Sequence, residues 1–334
     1  MRRIVWLLVL LAALWCAWWA GASFIASKAA AAWFDMRRAE GWLAEHADSR
    51  TSGFPDQIEL TLQDVELADP HTGLAVGLDA LTMSARAIWP GDLTVTLPDT
   101  PIRIATPDAR WQLLAQDGQA MLNLHPGASG TLENLSLHSG PFHISTGDGT
   151  SVMGGAALQL ALAQTDQPQR YTVTLDVTDF APGATVRDAL SLHPDWPPLF
   201  DTLLADLNVR FDRPIDRRAL EDRRPQPVEL AINRVEAKWG DMRFLATGNL
   251  IADSTQNAEG SVTIKAENWL KMVDLAENAG LLSPDYRPQV ESVLSSLAAG
   301  TGQTSDLDVT LRFENGRTKI GFIPLGPAPR LVIR

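Results

Sequence analysis

The chain has 334 residues, a formal net charge of -12 and one cysteine. An acidic balance gives no electrostatic reason to bind nucleic acid or an anionic membrane face. The lone cysteine leaves no intramolecular disulfide, which suits a bacterial envelope better than the cell surface of a higher organism.

Residues 4–22 read IVWLLVLLAALWCAWWAGA, without a charge, directly after Arg2 and Arg3. About twenty apolar residues are what a helix needs to cross a hydrocarbon core of roughly 30 Å. The positive-inside bias keeps both arginines in the cytoplasm and sends the rest of the chain across. We therefore expect a single-pass inner-membrane protein with its C-terminal body in the periplasm. Ala20-Gly21-Ala22 offers a small-x-small signal cleavage site. The length of the run, and Trp15, Trp18 and Trp19 at its outer end, argue instead for an uncleaved anchor over residues 1–26. Cys16 follows Trp15, where a lipoprotein site needs a small residue, so no lipid attachment is expected.

Trp33, Met36, Leu43 and Ala44 recur at spacings near three to four. That period predicts a helical linker over residues 27–50, packing its tryptophans on the first strands, with Gly41 a weak point. From Gly53-Phe54-Pro55 onward the period falls to two. Ile58, Leu60 and Leu62 alternate with polar residues, as do Leu74, Val76 and Leu78, then Leu93, Val95 and Leu97. Such alternation predicts strands with one buried face, and the turns between them point to an antiparallel meander. A short helix is expected at residues 185–192. Pro194-Asp195-Trp196-Pro197-Pro198 then marks a boundary between a first β half, 51–198, and a second, 199–334.

In the second half, further alternating runs flank two helices, residues 268–279 and 286–299. Their apolar stripes are expected to cap the open end of the second sheet. Asn315-Gly316 between two alternating runs predicts a tight hairpin. The stretch 324–329, PLGPAP, reads as too proline-rich for regular structure and leaves Leu331, Val332 and Ile333 as a short terminal patch.

The residues that carry chemistry elsewhere are poorly arranged for it here. His125, His138 and His143 have no Cys or Glu partners at metal-site spacing. Ser191, His193 and Asp195 alternate within one turn, and sequence neighbours seldom form a triad. Residues 147–151, GDGTS, lack the lysine and following helix of a phosphate loop and read as a hairpin turn. Asp64 with Glu66, and Asp306 with Asp308, read as solvated carboxylates on polar strand faces. Residues 210–224 mix arginines with Asp212, Asp216, Glu221 and Asp222 and read as a solvated loop. No catalytic, cofactor-binding or metal residue is assigned, and neither an enzyme nor a cofactor is expected.

Several phrases occur together: the N-terminal helix, the tryptophan-bearing linker, Ser52-Gly53-Phe54-Pro55 leading into Ile58-Glu59-Leu60-Thr61-Leu62, the Ala68-Asp69-Pro70 turn, and the closing residues 322–329, FIPLGPAP. They resemble the domain of unknown function 2125 family of Gram-negative envelope proteins, over nearly the whole chain. That resemblance brings no activity or catalytic residue to carry over. Gly248-Asn249-Leu250, residues 260–265 and the helix after them have a looser likeness to AsmA-like proteins, which implies long β-sheets folded into a lipid-lined groove.

The expected fold is mainly β (α+β): antiparallel curved sheets with a few capping helices and one N-terminal transmembrane helix. The expected role is binding of lipid, or of another envelope component, on an apolar sheet face in envelope maintenance. The alternative is a non-catalytic scaffold that holds an envelope protein partner. A lipid carrier leaves an apolar sheet face uncovered, whereas a scaffold covers it with the helices.

Overall fold

A computed structural model describes residues 2–127, 129–216, 219, 224–299, 305–321 and 323–333. With no proline before Pro55, and alanines around the lone Gly21, the apolar run and the alanine-rich stretch after it form one helix, α1 (Arg2–Ala39). It stops short of the expected linker end. Gly41 takes φ +88°, the left-handed conformation that terminates helices, and beyond it the chain forms β1 (Leu43–Glu45) and β2 (Asp48–Ser52). Spacing put Leu43 and Ala44 on a helix face; their backbones pair instead with Ala68 and Leu67.

The strands then follow as an antiparallel meander. β1 and β2 pair with β3 (Gln57–Asp69), and β3 pairs with β4 (Leu74–Arg86). Each of the next five strand positions is split by a short interruption. The pairs are β5 (Asp92–Thr96) with β6 (Ile102–Ala105), β7 (Arg110–Ala115) with β8 (Gln119–Leu124), β9 (Leu132–Ser139) with β10 (Phe142–Thr146), β11 (Ser151–Gly155) with β12 (Ala157–Gln164), and β13 (Arg170–Thr178) with β14 (Ala181–Pro182). The halves pair in matching sets, β4-β5-β8-β9-β12-β13 and β4-β6-β7-β10-β11-β14, so one sheet carries a crease across its middle. Local chemistry places that crease. Pro98, Pro101 and Pro141 lack ladder donors, and Asp117 and Asp179 both adopt φ +51°. Backbone bonds between neighbouring strands continue along it, with the N–H groups of Leu97 and Gln116 donating to Gly118 O (2.8 Å) and Pro141 O (3.0 Å).

After α2 (Ala184–Ala189) and the proline stretch, β15 (Thr202–Phe211) pairs directly with β13. The ladder is therefore continuous across residues 194–198, and the Trp239 indole N–H donates to Pro197 O at 2.9 Å. β16 (Pro227–Trp239), β17 (Met242–Ala252), β18 (Ala258–Glu267), β19 (Asp306–Glu314) and β20 (Arg317–Ile320) continue the meander. Asn315 and Gly316 turn β19 into β20 with φ +52° and +70°, the positive angles that favour this residue pair.

The proline-rich tail corrects its sequence reading: β21 (Ile323–Pro327) pairs with β20, with a register shift between Thr318 and Lys319. Proline cannot donate to a ladder, but an edge strand with a bulge needs donors at few positions. Among the described residues β21 does not pair with β1 or β2, so the curved sheet is not closed. The two late helices, α3 (Trp269–Asn278) and α4 (Arg287–Ala298), connect β18 to β19 and lie on them. Trp269, Val273 and Ala298 pack with Ala266, Leu307 and Val309.

Candidate functional site

α1 and the first strands enclose an apolar groove of about 830 Å3. Its helical wall is a stripe at i, i+3 and i+4 spacing: Trp18, Ala22, Ala26, Ala30 and Phe34, flanked by Ile25 and Trp33. Its sheet wall is one face of β3, with Ile58, Leu60, Leu62, Val65 and Leu67, and of β4, with Leu81, Met83 and Ala85. On β3 the alternation changes phase at Asp64, whose φ is +50°, so the even-numbered apolar residues give way to odd-numbered ones on the same face. Large residues close the groove at one end. Phe34 is 3 % exposed and packs on Leu60, Leu62, Val65 and Leu78. Lower down, Ala22, Ala26 and Ala30 project only methyl groups toward the leucines, and the volume is the space those short side chains leave.

Trp33 corrects one expectation. It is 38 % exposed, edge-on to Phe34 and beneath the Arg37 guanidinium, and Phe34 is the residue that anchors the helix. Phe34 continues the alanine stripe at i+4, whereas Trp33 lies at its margin.

At the lower end of the groove three indoles hold the body to the helix. Trp15 donates to Pro55 O (3.0 Å), Trp18 to Ala87 O (3.0 Å) and Trp19 to Gln57 O (2.7 Å). The exposed lining residues Trp18, Arg86, Ile88 and Pro90 mark the mouth of the groove at this end, and Arg86 is the one charged residue in the lining.

The groove floor continues across the sheet. Residues directly paired on antiparallel strands share a face. From Leu60 the register runs through Met83, Val95, Ala120, Leu137, Leu160, Leu175, Ala205, Val235, Ala246 and Ile264 to Val309. Every rung is apolar. The next rung begins Ile58, Ala85, Leu93, Leu122, Leu135, Leu162, Val173, Leu207 and Ile232 and is apolar as well. Through the middle strands these side chains are half-buried, and at the far end α3 and α4 cover the strip.

The residues weighed for chemistry are scattered. His138 is half-buried on β9, His143 is exposed on β10, and His125 meets the Gln164 side chain (2.6 Å). His193 and Asp195 touch at 3.2 Å on a turn where both side chains are largely exposed. Residues 147–150 form the β10 to β11 turn and Ser151 opens β11; Asp148 accepts from Thr146 Oγ1 and the Thr150 N–H, and these bonds hold its carboxyl below the usual range. Asp64, Glu66 and Asp308 are exposed. Of the arginine-rich stretch, Arg210 pairs with Glu229 from within β15, and residues 217–218 and 220–223 lie outside the described residues. No group of three or more His, Cys, Asp or Glu side chains converges among the described residues.

Sequence reasoning missed the groove. The signal was present as Ala22, Ala26 and Ala30, alanines at strict i+4 spacing that continue from an apolar run into the linker. No curated protein matches the chain. A family model described as an uncharacterized protein conserved in bacteria (DUF2125) matches residues 18–329, from the second of the three docking tryptophans to the paired tail, and the chain belongs to that family.

Proposed function

We propose that the protein is a single-pass membrane protein with its body outside the cytoplasm, and that the groove between α1 and β3–β5 takes an acyl chain of a bilayer lipid. The carrying observation is the groove itself: about 830 Å3, apolar on both walls, with its mouth at the tryptophan end of an apolar helix. That volume falls within the roughly 300–1,000 Å3 of pockets that hold small molecules. The most apolar part of α1 has a mean hydropathy of 2.1 and none of it is buried, which supports a bilayer around it. Arg2 and Arg3 support the orientation. The three indole bonds favour a helix that stays attached over one that is cleaved. Arg86 at the mouth suits a lipid phosphate, and the two apolar rungs offer a surface along which a chain could extend.

A scaffold role is the second reading. It is favoured by α3 and α4, which cover the far end of the strip as a partner-holding module would require. Both readings make the protein a binding module and not a catalyst.

Photocrosslinking in native membranes tests the lipid reading. With p-benzoylphenylalanine at Met83, on the groove wall, irradiation of the full chain should give lipid adducts detectable by mass spectrometry. The same label at Thr82, on the opposite face, should not. Adducts from a label at Leu8 but none from Met83 would remove the lipid reading and leave the scaffold.

A further inference from the structure

The distance from Arg3 to the first body contact is too short for the helix to cross a bilayer before meeting the body. The apolar run starts at Ile4, and Trp15 already donates to Pro55 O at 3.0 Å. Residues 4–14 rise only about 17 Å at 1.5 Å per residue, against a hydrocarbon thickness of roughly 30 Å. Tilting would shorten the vertical reach further. Helical side chains also lean toward the N-terminus, so the Trp15 indole does not lengthen that reach. If α1 spans, the missing depth of about 10 Å or more is helix that already has the body beside it.

The part of the body at that level suits an apolar medium. Two tips reach it, residues 53–56 between β2 and β3 and residues 87–91 between β4 and β5. Phe54 is 54 % exposed and sits edge-on to Trp19, 5.4 Å between ring centres. Ile88 is 76 % exposed, beside half-buried Trp89. Exposed Asp56 and Arg86 border the tips and limit the depth to the boundary between headgroups and acyl chains.

We infer that the Phe54 and Ile88 tips insert into the leaflet at the C-terminal end of the apolar run, so that the body is seated in the bilayer and not suspended above it. This rests on α1 spanning the membrane but is independent of whether the groove holds lipid. Seating would place the groove mouth, at Ile88 and Pro90, among acyl chains, so that a chain could enter without passing through water.

The test is an environment-sensitive NBD label on single cysteines, in a Cys16→Ser background, with the full chain reconstituted in phosphatidylethanolamine and phosphatidylglycerol vesicles. Three positions are compared: Leu8 in the helix, Ile88 at the tip, and His71 in the turn at the other end of β3, about 40 Å away at 3.3 Å per residue. All three are exposed, so the label should not disturb folding. Lipid-borne nitroxide should quench Leu8 and Ile88 several-fold more than His71, and the Ile88 emission should be blue-shifted. Quenching at Leu8 with an Ile88 signal like that of His71 would overturn the seating and leave the spanning helix intact. Absence of quenching at Leu8 would remove the spanning helix and the seating with it.

Discussion

Glu236 is a charged side chain buried in the sheet. It lies on a strand between Val235 and Ala237, is 4 % exposed, and accepts from the Arg243 Nε (2.8 Å) and from Arg234. Burial pushes its carboxyl up; hydrogen bonds from Arg234 and Arg243 outweigh that and hold it below the usual range. A carboxylate whose folded value is lowered contributes stability that is complete above its unfolded value and drains away as pH falls through the folded one. Glu236→Gln should therefore cost about 1–3 kcal/mol at neutral pH, and the variant and parent should converge in urea melts as the pH approaches the acid limb. Tyr171 makes a smaller case. Fully buried, it donates to Leu132 O at 3.0 Å, and burial raises its phenol. Tyr171→Phe leaves that carbonyl without its side-chain donor and should cost about 1 kcal/mol without changing the fold, as circular dichroism would report.

Among elements, α1 serves two environments with one period. From Ile4 to Leu14 it is apolar on all sides and uncovered, and from Trp15 onward it meets the body and presents a narrow stripe to β3 and β4. The alanines of that stripe are the determinants of the groove. Ala26→Leu with Ala30→Leu should fill it, raising stability by about 0.5–2 kcal/mol as cavity-filling changes commonly do, while lowering lipid adducts at Met83 several-fold. Loss of adducts without loss of stability would separate occupancy from folding. The α3 and α4 pair depends on a different arrangement: Arg287 bridges Asp274, Glu277 and Glu291, and its guanidinium is held even more firmly charged by those carboxylates. Arg287→Ala should raise amide exchange in both helices.

For the whole molecule, an open meander joined strand to strand has no single centre. Its buried residues fall into separate clusters, with Phe34 among the first strands and Trp269, the first residue of α3, among the last. Stability in such an array is carried by neighbours and need not be uniform. Trp269→Ala should cost about 3–5 kcal/mol within its own cluster. Hydrogen exchange should show that loss in β18 and β19 while β3 and β4 keep their protection. Uniform deprotection would mean that the sheet unfolds as one unit.

Local chemistry alone determined a good part of this protein. Residues 4–22 specify an apolar helix because leucine and alanine, strong helix formers, fill about half of an uncharged and proline-free run. The alternation at Ile58, Leu60 and Leu62, and the Asn315-Gly316 turn, specify antiparallel strands because side chains on a strand change face at every residue. What sequence could not supply is register and company. Leu43 sits at helical spacing, yet a free β3 edge captures it; residues 323–327 contain two prolines, yet β20 offers an edge that needs few donors. The groove depends on both. Alanines at i+4 become a cavity wall only when β3 and β4 stand opposite them. The leucines of successive strands become one apolar strip only when the register aligns every rung, and that register is set by contacts between residues far apart in the chain.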